Sequence, residues 1–472
     1  MSLLAHAFEA SAQCLSMRVV GVVAELRGLM VLVDELPLPA GALVSIRASG
    51  RALSKHVERE PACFGEVVGF TREHALVMLL GHTHGIKPGD AVLGEEVHQT
   101  ALVGEGLLGR VVDGLGRPID GKGPIPEPIR APINPLPIAP LSRRRITQPL
   151  FTGIRSVDLM NTMGRGQRLG LFAGPGVGKS TLLGSIARRS DADVNVIALI
   201  GERGREVKDF IEHALGSEGL KRSVVVVATG DESPVLRIRA AKFACSAGEC
   251  FRSQGRDVLL MMDSVTRFAH AQRQIGLSVG EPPANKGYTP SVFSQLALLL
   301  ERAGAIEPTT ALATSTAYPR GSITGLYTIL VEGDDMTEPI ADAARGILDG
   351  HIVLSRRLAQ RGHFPAVDVL DSVSRVMDDI TDIDHQASRR QIIRMLAKYT
   401  EIEDLVQIGA YARGSDPEAD VAIDSFPRIE SLLRQGRDDV DQFTTARQTL
   451  MKLARETTDA IARLKANKAA RV

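Results

Sequence analysis

The residues with the clearest chemistry lie in "LFAGPGVGKSTLL", Leu171 to Leu183. The stretch follows G-x-x-x-x-G-K-[ST], with Ala173 standing where the first glycine would be. Gly174, Pro175, Gly176, Val177 and Gly178 form the loop. Its glycines let backbone approach phosphate oxygens, and successive N–H groups at a helix N-terminus then meet the negative charge. Lys179 reaches the β and γ phosphates, Ser180 offers its hydroxyl to Mg²⁺, and Thr181 completes the turn. An apolar strand pattern precedes the loop and a helical pattern follows it, which is the context the motif requires. The expected ligand is a nucleoside triphosphate, ATP, with its Mg²⁺.

Hydrolysis needs further groups. "DVLLMMD" buries a strand and leaves Asp263 at its carboxyl end, where an acid holds Mg²⁺ through water. "GERGREVKDF" puts Glu202 at the end of another strand, where a carboxylate can polarise the attacking water. The plainer alternative is that Glu202 and Arg203 only cap the next helix. The charge of the transition state also calls for an arginine, and "DVLDSVSRVM" offers Arg375. From the bare sequence Arg375 reads equally as a surface arginine in a salt bridge.

These groups need a scaffold. From about 151 to 377 strand and helix patterns alternate: "LGLFAG", "VNVIALIGE", "RSVVVVATGDE", "DVLLMMD" and "SITGLYTILV" are strands with helices between. Ser233 and Pro234 read as N-cap and first residue of one such helix. The alternation predicts a mostly parallel sheet covered on both faces, with ligands at the carboxyl ends of its strands. Residues 18–97 are short β-rich runs broken at turn signals and predict a small β-barrel. Residues 98–150 carry nine prolines between Pro118 and Pro149 and predict an extended connection lying over the next domain. Residues 378–472 are helical. They include "RIESLLRQG" and a long last helix striped by Phe443, Leu450, Leu453, Ile461 and Leu464. Residues 1–17 read as a short amphipathic helix.

Composition narrows the class. The 472 residues are 44% hydrophobic, enough for two or three cored domains. Acids and bases balance at 56 each, and aromatics are 4% with no tryptophan. That argues against a nucleic-acid translocase resembling Rho, which needs basic and stacking surface. The four cysteines, Cys14, Cys63, Cys245 and Cys250, have no metal or redox spacing and are expected to be reduced. No apolar run reaches the ~20 residues needed to span a bilayer.

The longer pattern resembles a known family. "LLGRVVDGLGRPIDGKGP", "GERGREV", "DSVTRFA", "GYTPSVF", "EGDDMTEPIAD" and "ILDGHIVLSR", with the phosphate loop, are similar to rotary-type ATPases. The nearest likeness is to the type III protein-export ATPases of bacterial flagella and injectisomes. The resemblance spans about residues 18 to 440. It implies a multi-domain α/β fold: an N-terminal β-barrel, a central RecA-like P-loop domain with a mostly parallel sheet, and a helical C-terminal domain. It implies a homohexamer hydrolysing ATP at subunit interfaces and driving protein export. Lys179 and Ser180 would take phosphate and Mg²⁺, Glu202 the water, and Arg203 a supporting place near the γ phosphate. Arg375 would be the arginine finger in the neighbour's site. Phe364 would pack on adenine, the alternative being an ordinary core ring.

The implied partners are a coiled-coil stalk, a stator-like regulator docking within residues 3–15, the export gate, chaperones and exported subunits, and no nucleic acid. The implied location is cytoplasmic, with peripheral association at the inner-membrane export gate. Two features depart from the pattern. The stretch "AIEPTTALATSTAYPR", within the loop spanning 304–320, is longer than expected. The pair Asp371–Ser372 is similar to the catalytic subunits of rotary ATP synthases, which keeps that alternative open beside the flagellar and injectisome readings.

Overall fold

The computed structural model describes residues 19–47, 63–81, 85–97, 99–307, 321–331, 333, 335–437, 439 and 442–469. The expected helix at 1–17 with its regulator dock, Cys14, and most of the long 304–320 loop lie outside the described residues.

Six antiparallel strands close the N-terminal barrel: β1 (Val20–Arg27), β2 (Met30–Asp34), β3 (Leu43–Arg47), β4 (Cys63–Phe70), β5 (Ala75–Leu79) and β6 (Ala91–Glu96). They run in the order β1-β2-β5-β4-β3-β6. Alternate residues point inward, so Val31, Val33, Val44, Ile46, Val77, Leu79 and Val92 fill the interior completely buried. The outward residues Met30, Leu32, Met78 and Leu80 are buried too. They pack on Val235 and Leu236 of the next domain and fix the barrel to it.

The central sheet contains β7 (Arg110–Asp113), β8 (Arg168–Ala173), β9 (Val194–Glu202), β10 (Ser223–Thr229), β11 (Asp257–Asp263), β12 (Ser322–Leu330), β13 (Gly350–Leu354) and β14 (Val367–Ser374). Their order is β14-β13-β8-β12-β11-β9-β10-β7, with Gly304–Ala305 paired antiparallel to β12. Every neighbouring pair along that path is parallel except β13–β14. Successive residues of a strand serve opposite faces. Leu169 and Leu171 join one core with Leu183 and Ile186, while Phe172 joins another with Phe243 and Phe268.

β7 comes from the segment read as a bare connection. Its four residues precede the first proline of the run, and it sits at the sheet's edge. There it is anchored by Arg110, whose Nε and Nη2 donate to Asp120 at 2.8 and 3.0 Å. That guanidinium holds the Asp120 carboxyl well below the usual carboxylate range. The proline-bearing part contributes a short ladder of Ile129–Pro132 with Thr100–Val103 and a two-residue pairing of Pro149–Leu150 with Met163–Gly164.

The helices that matter to the site are α1 (Lys179–Arg189), α2 (Gly204–Asp209), α3 (Pro234–Ser253), α4 (Val265–Ser278), α5 (Pro290–Leu300) and α6 (Pro339–Ile347). Ser233 caps α3 as expected, its Oγ accepting from the Leu236 N–H at 3.3 Å. Three long helices complete the chain: α7 (Ile383–Gln407), α8 (Pro417–Leu433) and α9 (Phe443–Ala469). Their apolar faces, including Ile392, Ile429, Leu450 and Leu453, continue the core on the α1 side of the sheet. Two details differ from expectation. α8 begins at Pro417, well before the stretch "RIESLLRQG", and runs through Pro427. In α9, Leu464 is 38% exposed and lies off the buried stripe.

Candidate active site

The parallel strands carry their ends to one edge, so Ala173, Glu202 and Asp263 arrive together although far apart in sequence. Between β8 and α1 the chain turns through Gly176 and Gly178, at φ 76° and 90°. A side chain there would strain the backbone. Gly178 is the N-cap of α1 and supplies no side-chain cap. The N–H groups of the first turn, Lys179, Ser180 and Thr181, therefore have no side-chain cap and are open to an anionic ligand. Val177 is buried beneath the loop, while Pro175, Gly176, Ser180 and Thr181 are exposed.

Lys179 lies at the centre. Its Nζ is 2.5 and 2.6 Å from the Asp263 carboxylate oxygens and 3.6 Å from Glu202 Oε1. Asp263 is 3% exposed, so its charge needs this partner. The Ser180 hydroxyl and the Asp263 carboxylate are hard oxygen donors, the set that suits a small divalent cation. Glu202 is pushed up to about 7, first by burial and further by the Asp263 charge, with Lys179 pulling the other way. A carboxyl poised there changes charge near neutrality, as a group handling a water's proton must.

Arg203 is not gathered with them. Its backbone takes the N-cap position of α2 without a side-chain cap. Its guanidinium, 85% exposed, pairs with Glu206 at 3.1 Å.

Phe364 belongs to a cleft of about 350 Å³ beside the loop, lined also by Gly178, Thr181, Pro365, Gln435 and Arg437. Its ring stands over Gly178: a Cβ added there would lie 3.6 Å from it. At 45% exposed, Phe364 is not a core ring. Gln435 and Arg437 escaped the sequence reading, because they arrive from beyond α8. Gln435 is buried and holds the cleft's wall: its N–H donates to the Phe364 carbonyl at 2.9 Å. Its side chain accepts from Arg155 N–H at 2.9 Å and donates to the Gly153 carbonyl at 3.0 Å. No sequence signal marks either residue.

Arg375 lies at the other edge. β14 is antiparallel to β13, so Val367 pairs with Leu354 near the loop, while Ser374 pairs with Gly350 at the far end. Arg375 follows Ser374 and is exposed. β8 lies between it and its own phosphate loop, and five steps at about 3.3 Å each give roughly 15–20 Å. Its guanidinium makes one weak contact, Nη2 to the Arg345 carbonyl at 3.4 Å.

A phosphate loop on a central parallel strand, with a lysine, two carboxylates and a ring-lined cleft at the same edge, defines a nucleoside triphosphatase. Comparison with known proteins narrows this. Residues 153–374 match the ATP synthase alpha/beta family, nucleotide-binding domain, and residues 381–452 match the T3SS EscN ATPase C-terminal domain. A "Flagellum-specific ATP synthase" of Treponema pallidum is 49% identical over 423 residues, 90% of this chain and 89% of that protein. A "Type 3 secretion system ATPase" of Xanthomonas euvesicatoria is 47% identical over 440 residues, 93% of this chain and 94% of that protein. The assembled ATPase EscN from the enteropathogenic E. coli type III secretion system superposes with TM-score 0.82 at 39% identity. It covers 92% of this chain and 100% of that one. The chain belongs to the type III export ATPases of the ATP synthase alpha/beta family. It is an ATP-hydrolysing enzyme, and the C-terminal match sets it apart from the synthase subunits that Asp371–Ser372 brought to mind.

Proposed function

We propose that this chain is the ATPase of a bacterial flagellar type III export apparatus, a homohexamer coupling ATP hydrolysis to delivery of flagellar subunits. The observation that carries the reading is the pairing of a complete phosphate-binding edge with an exposed Arg375 at the opposite edge of the same subunit. The flagellar branch is favoured by relatives such as the "Flagellum-specific ATP synthase" of Salmonella typhimurium, 49% identical over 87% of this chain.

In the mechanism, the loop N–H groups and Lys179 hold the phosphates of ATP. Ser180 and Asp263 hold Mg²⁺, which neutralises charge on the phosphate oxygens when bound. Lys179, which pairs with Asp263 here, turns to the phosphates. Glu202 orients and polarises the attacking water. Arg375 of the adjacent copy enters to stabilise charge on the transferring phosphoryl group. Arg203 supports the γ-phosphate side once its surface pairing with Glu206 is exchanged.

Phe364 stacks on the adenine. Replacing it by alanine is expected to raise KM for ATP roughly tenfold, given ~1–3 kcal/mol per stacked base. kcat should stay within about twofold, and Phe364→Tyr should restore KM. Steady-state kinetics checks this; an unchanged KM would return Phe364 to a packing role.

EscN has been seen in complex with its central stalk EscO. By that likeness a coiled-coil stalk enters this ring. A stator-like regulator at residues 3–15, the export gate, chaperones and exported subunits are further proposed partners. No helix among the described residues is long and apolar enough to cross a membrane. We place the protein in the cytoplasm, associated peripherally with the inner-membrane gate.

The deciding experiment deletes the gene and follows filaments, effector secretion and ATP synthesis. Loss of filaments with normal growth and ATP synthesis is the expected result. Normal filaments with lost effector secretion would move the chain to an injectisome.

A further inference from the structure

The base of Arg375 is held by an unusually dense set of bonds. Its N–H donates to the Asp349 carbonyl at 3.0 Å. The Gln167 amide donates to that same carbonyl at 3.0 Å and to Ser374 Oγ at 3.1 Å. Ser374 Oγ in turn donates to the Thr162 carbonyl at 2.8 Å. The Asp349 carboxylate is forked by Arg168, Nε to Oδ2 and Nη2 to Oδ1, both at 3.0 Å. It also accepts from the Arg168 N–H at 3.1 Å. Arg168 is tied further to Glu301, which also pairs with Arg143.

Next to Asp349, Gly350 sits at φ 145°, where a Cβ would lie 2.3 Å from the Val373 carbonyl. The backbone before Arg375 is thus pressed against the Asp349–Gly350 turn with no room for a side chain. Arg168 and Gln167 open the strand whose other end, Ala173, leads into the phosphate loop.

These residues lie at the end of the strand away from its phosphate loop. Planar, bidentate Arg–carboxylate pairs fix direction as well as distance. A transition-state contact loses about a hundredfold for a displacement near 1 Å. We propose that Asp349, oriented by Arg168, is a positioning residue that sets Arg375 for the neighbouring subunit's site and ties it to the strand bearing this subunit's own phosphate loop. This rests on Arg375 acting in a neighbouring site.

The test uses full-length chains mixed in rings. Asp349→Asn keeps the shape and loses the charge that the Arg168 fork needs. Homogeneous Asp349→Asn rings are expected to lose roughly tenfold to a hundredfold in kcat with KM for ATP within about twofold. Mixed with Lys179→Ala chains, which keep good fingers, they should regain ATPase activity well above the sum of the two parents. Mixed with Arg375→Ala chains, they should regain none, since every finger in the ring is then defective. Recovery in that second mixture, or wild-type kcat in the homogeneous ring, would overturn the proposal.

Lys179→Ala with Arg375→Ala is the control: recovery there is required by the trans finger itself. Its failure would remove the finger reading, and the proposal with it, independently of Asp349. Should Asp349→Asn not assemble, Arg168→Lys breaks the same fork from the other side and enters the same mixtures with the same outcomes.

Discussion

Arg375→Ala rings are expected to bind ATP with a KM close to that of the unaltered ring and to turn over about 10³- to 10⁵-fold more slowly. The size follows from where charge develops. In the ground state the phosphates are already met by the loop N–H groups and Lys179. The charge that spreads over the transferring phosphoryl oxygens appears only on the way to the transition state. On the proposed reading a guanidinium arriving from a neighbour neutralises that charge, so its removal falls on kcat. Position makes the prediction specific to an interface. β14 turns back against β13, so Arg375 leaves the sheet at the edge away from its own loop. Single-turnover and steady-state kinetics on assembled rings check it. Loss expressed in KM alone would mean that Arg375 holds substrate and does not assist the reaction.

Glu202→Gln should leave ATP binding intact and lower kcat by about 10²- to 10⁴-fold. The amide keeps the size of the side chain and cannot take up a proton. The unaltered enzyme should also show a pH limb that the variant lacks. Burial and Asp263 raise Glu202 from its ordinary 4.5 to about 7. Below that pH the carboxyl is protonated and cannot polarise water, so kcat/KM rises through about pH 7. The sign for stability is the reverse. The folded chain holds this proton more tightly than the unfolded one. The stabilisation is therefore complete below about 4.5 and lost as pH rises through about 7. A pH–rate profile with the acidic limb unchanged in Glu202→Gln would assign the limb to another group.

The phosphate edge was legible because its information is local. Glycines, lysine and hydroxyl stand side by side, and Glu202 and Asp263 each end a strongly apolar strand. The barrel was legible from short β-rich runs broken at turn signals, and the α3 cap from Ser233–Pro234. What escaped depends on contacts distant in sequence. Gln435, in the loop after α8, bonds to Phe364, Arg155 and Gly153, all far from it in sequence, and no pattern announces that. β7 is too short to show a period and takes its identity from pairing with β10. α8 extends ahead of "RIESLLRQG" and through Pro427 because Val421 and Ala422 hold its first turns to the core. Asp371–Ser372 misled for a structural reason. Ser372 Oγ accepts from the Val353 N–H at 3.0 Å, and the Asp371 carbonyl meets His351 Nε2 at 3.0 Å. Both contacts hold a register irregularity between β13 and β14. The pair shapes the approach to Arg375.

The reversed direction of β14 against β13 has a further consequence. Because β14 reverses, each chain has a giving face and a receiving face, and the two differ. Contacts of that kind join head to tail and either close into a ring or continue as a filament. With Arg375 acting in a neighbour's site, as proposed above, a solitary chain owns two half-sites and no whole one. Specific activity per chain should therefore climb with concentration and vanish on dilution, even with every side chain intact. On that proposal the ATPase idles while its copies are scattered and works where enough of them are gathered.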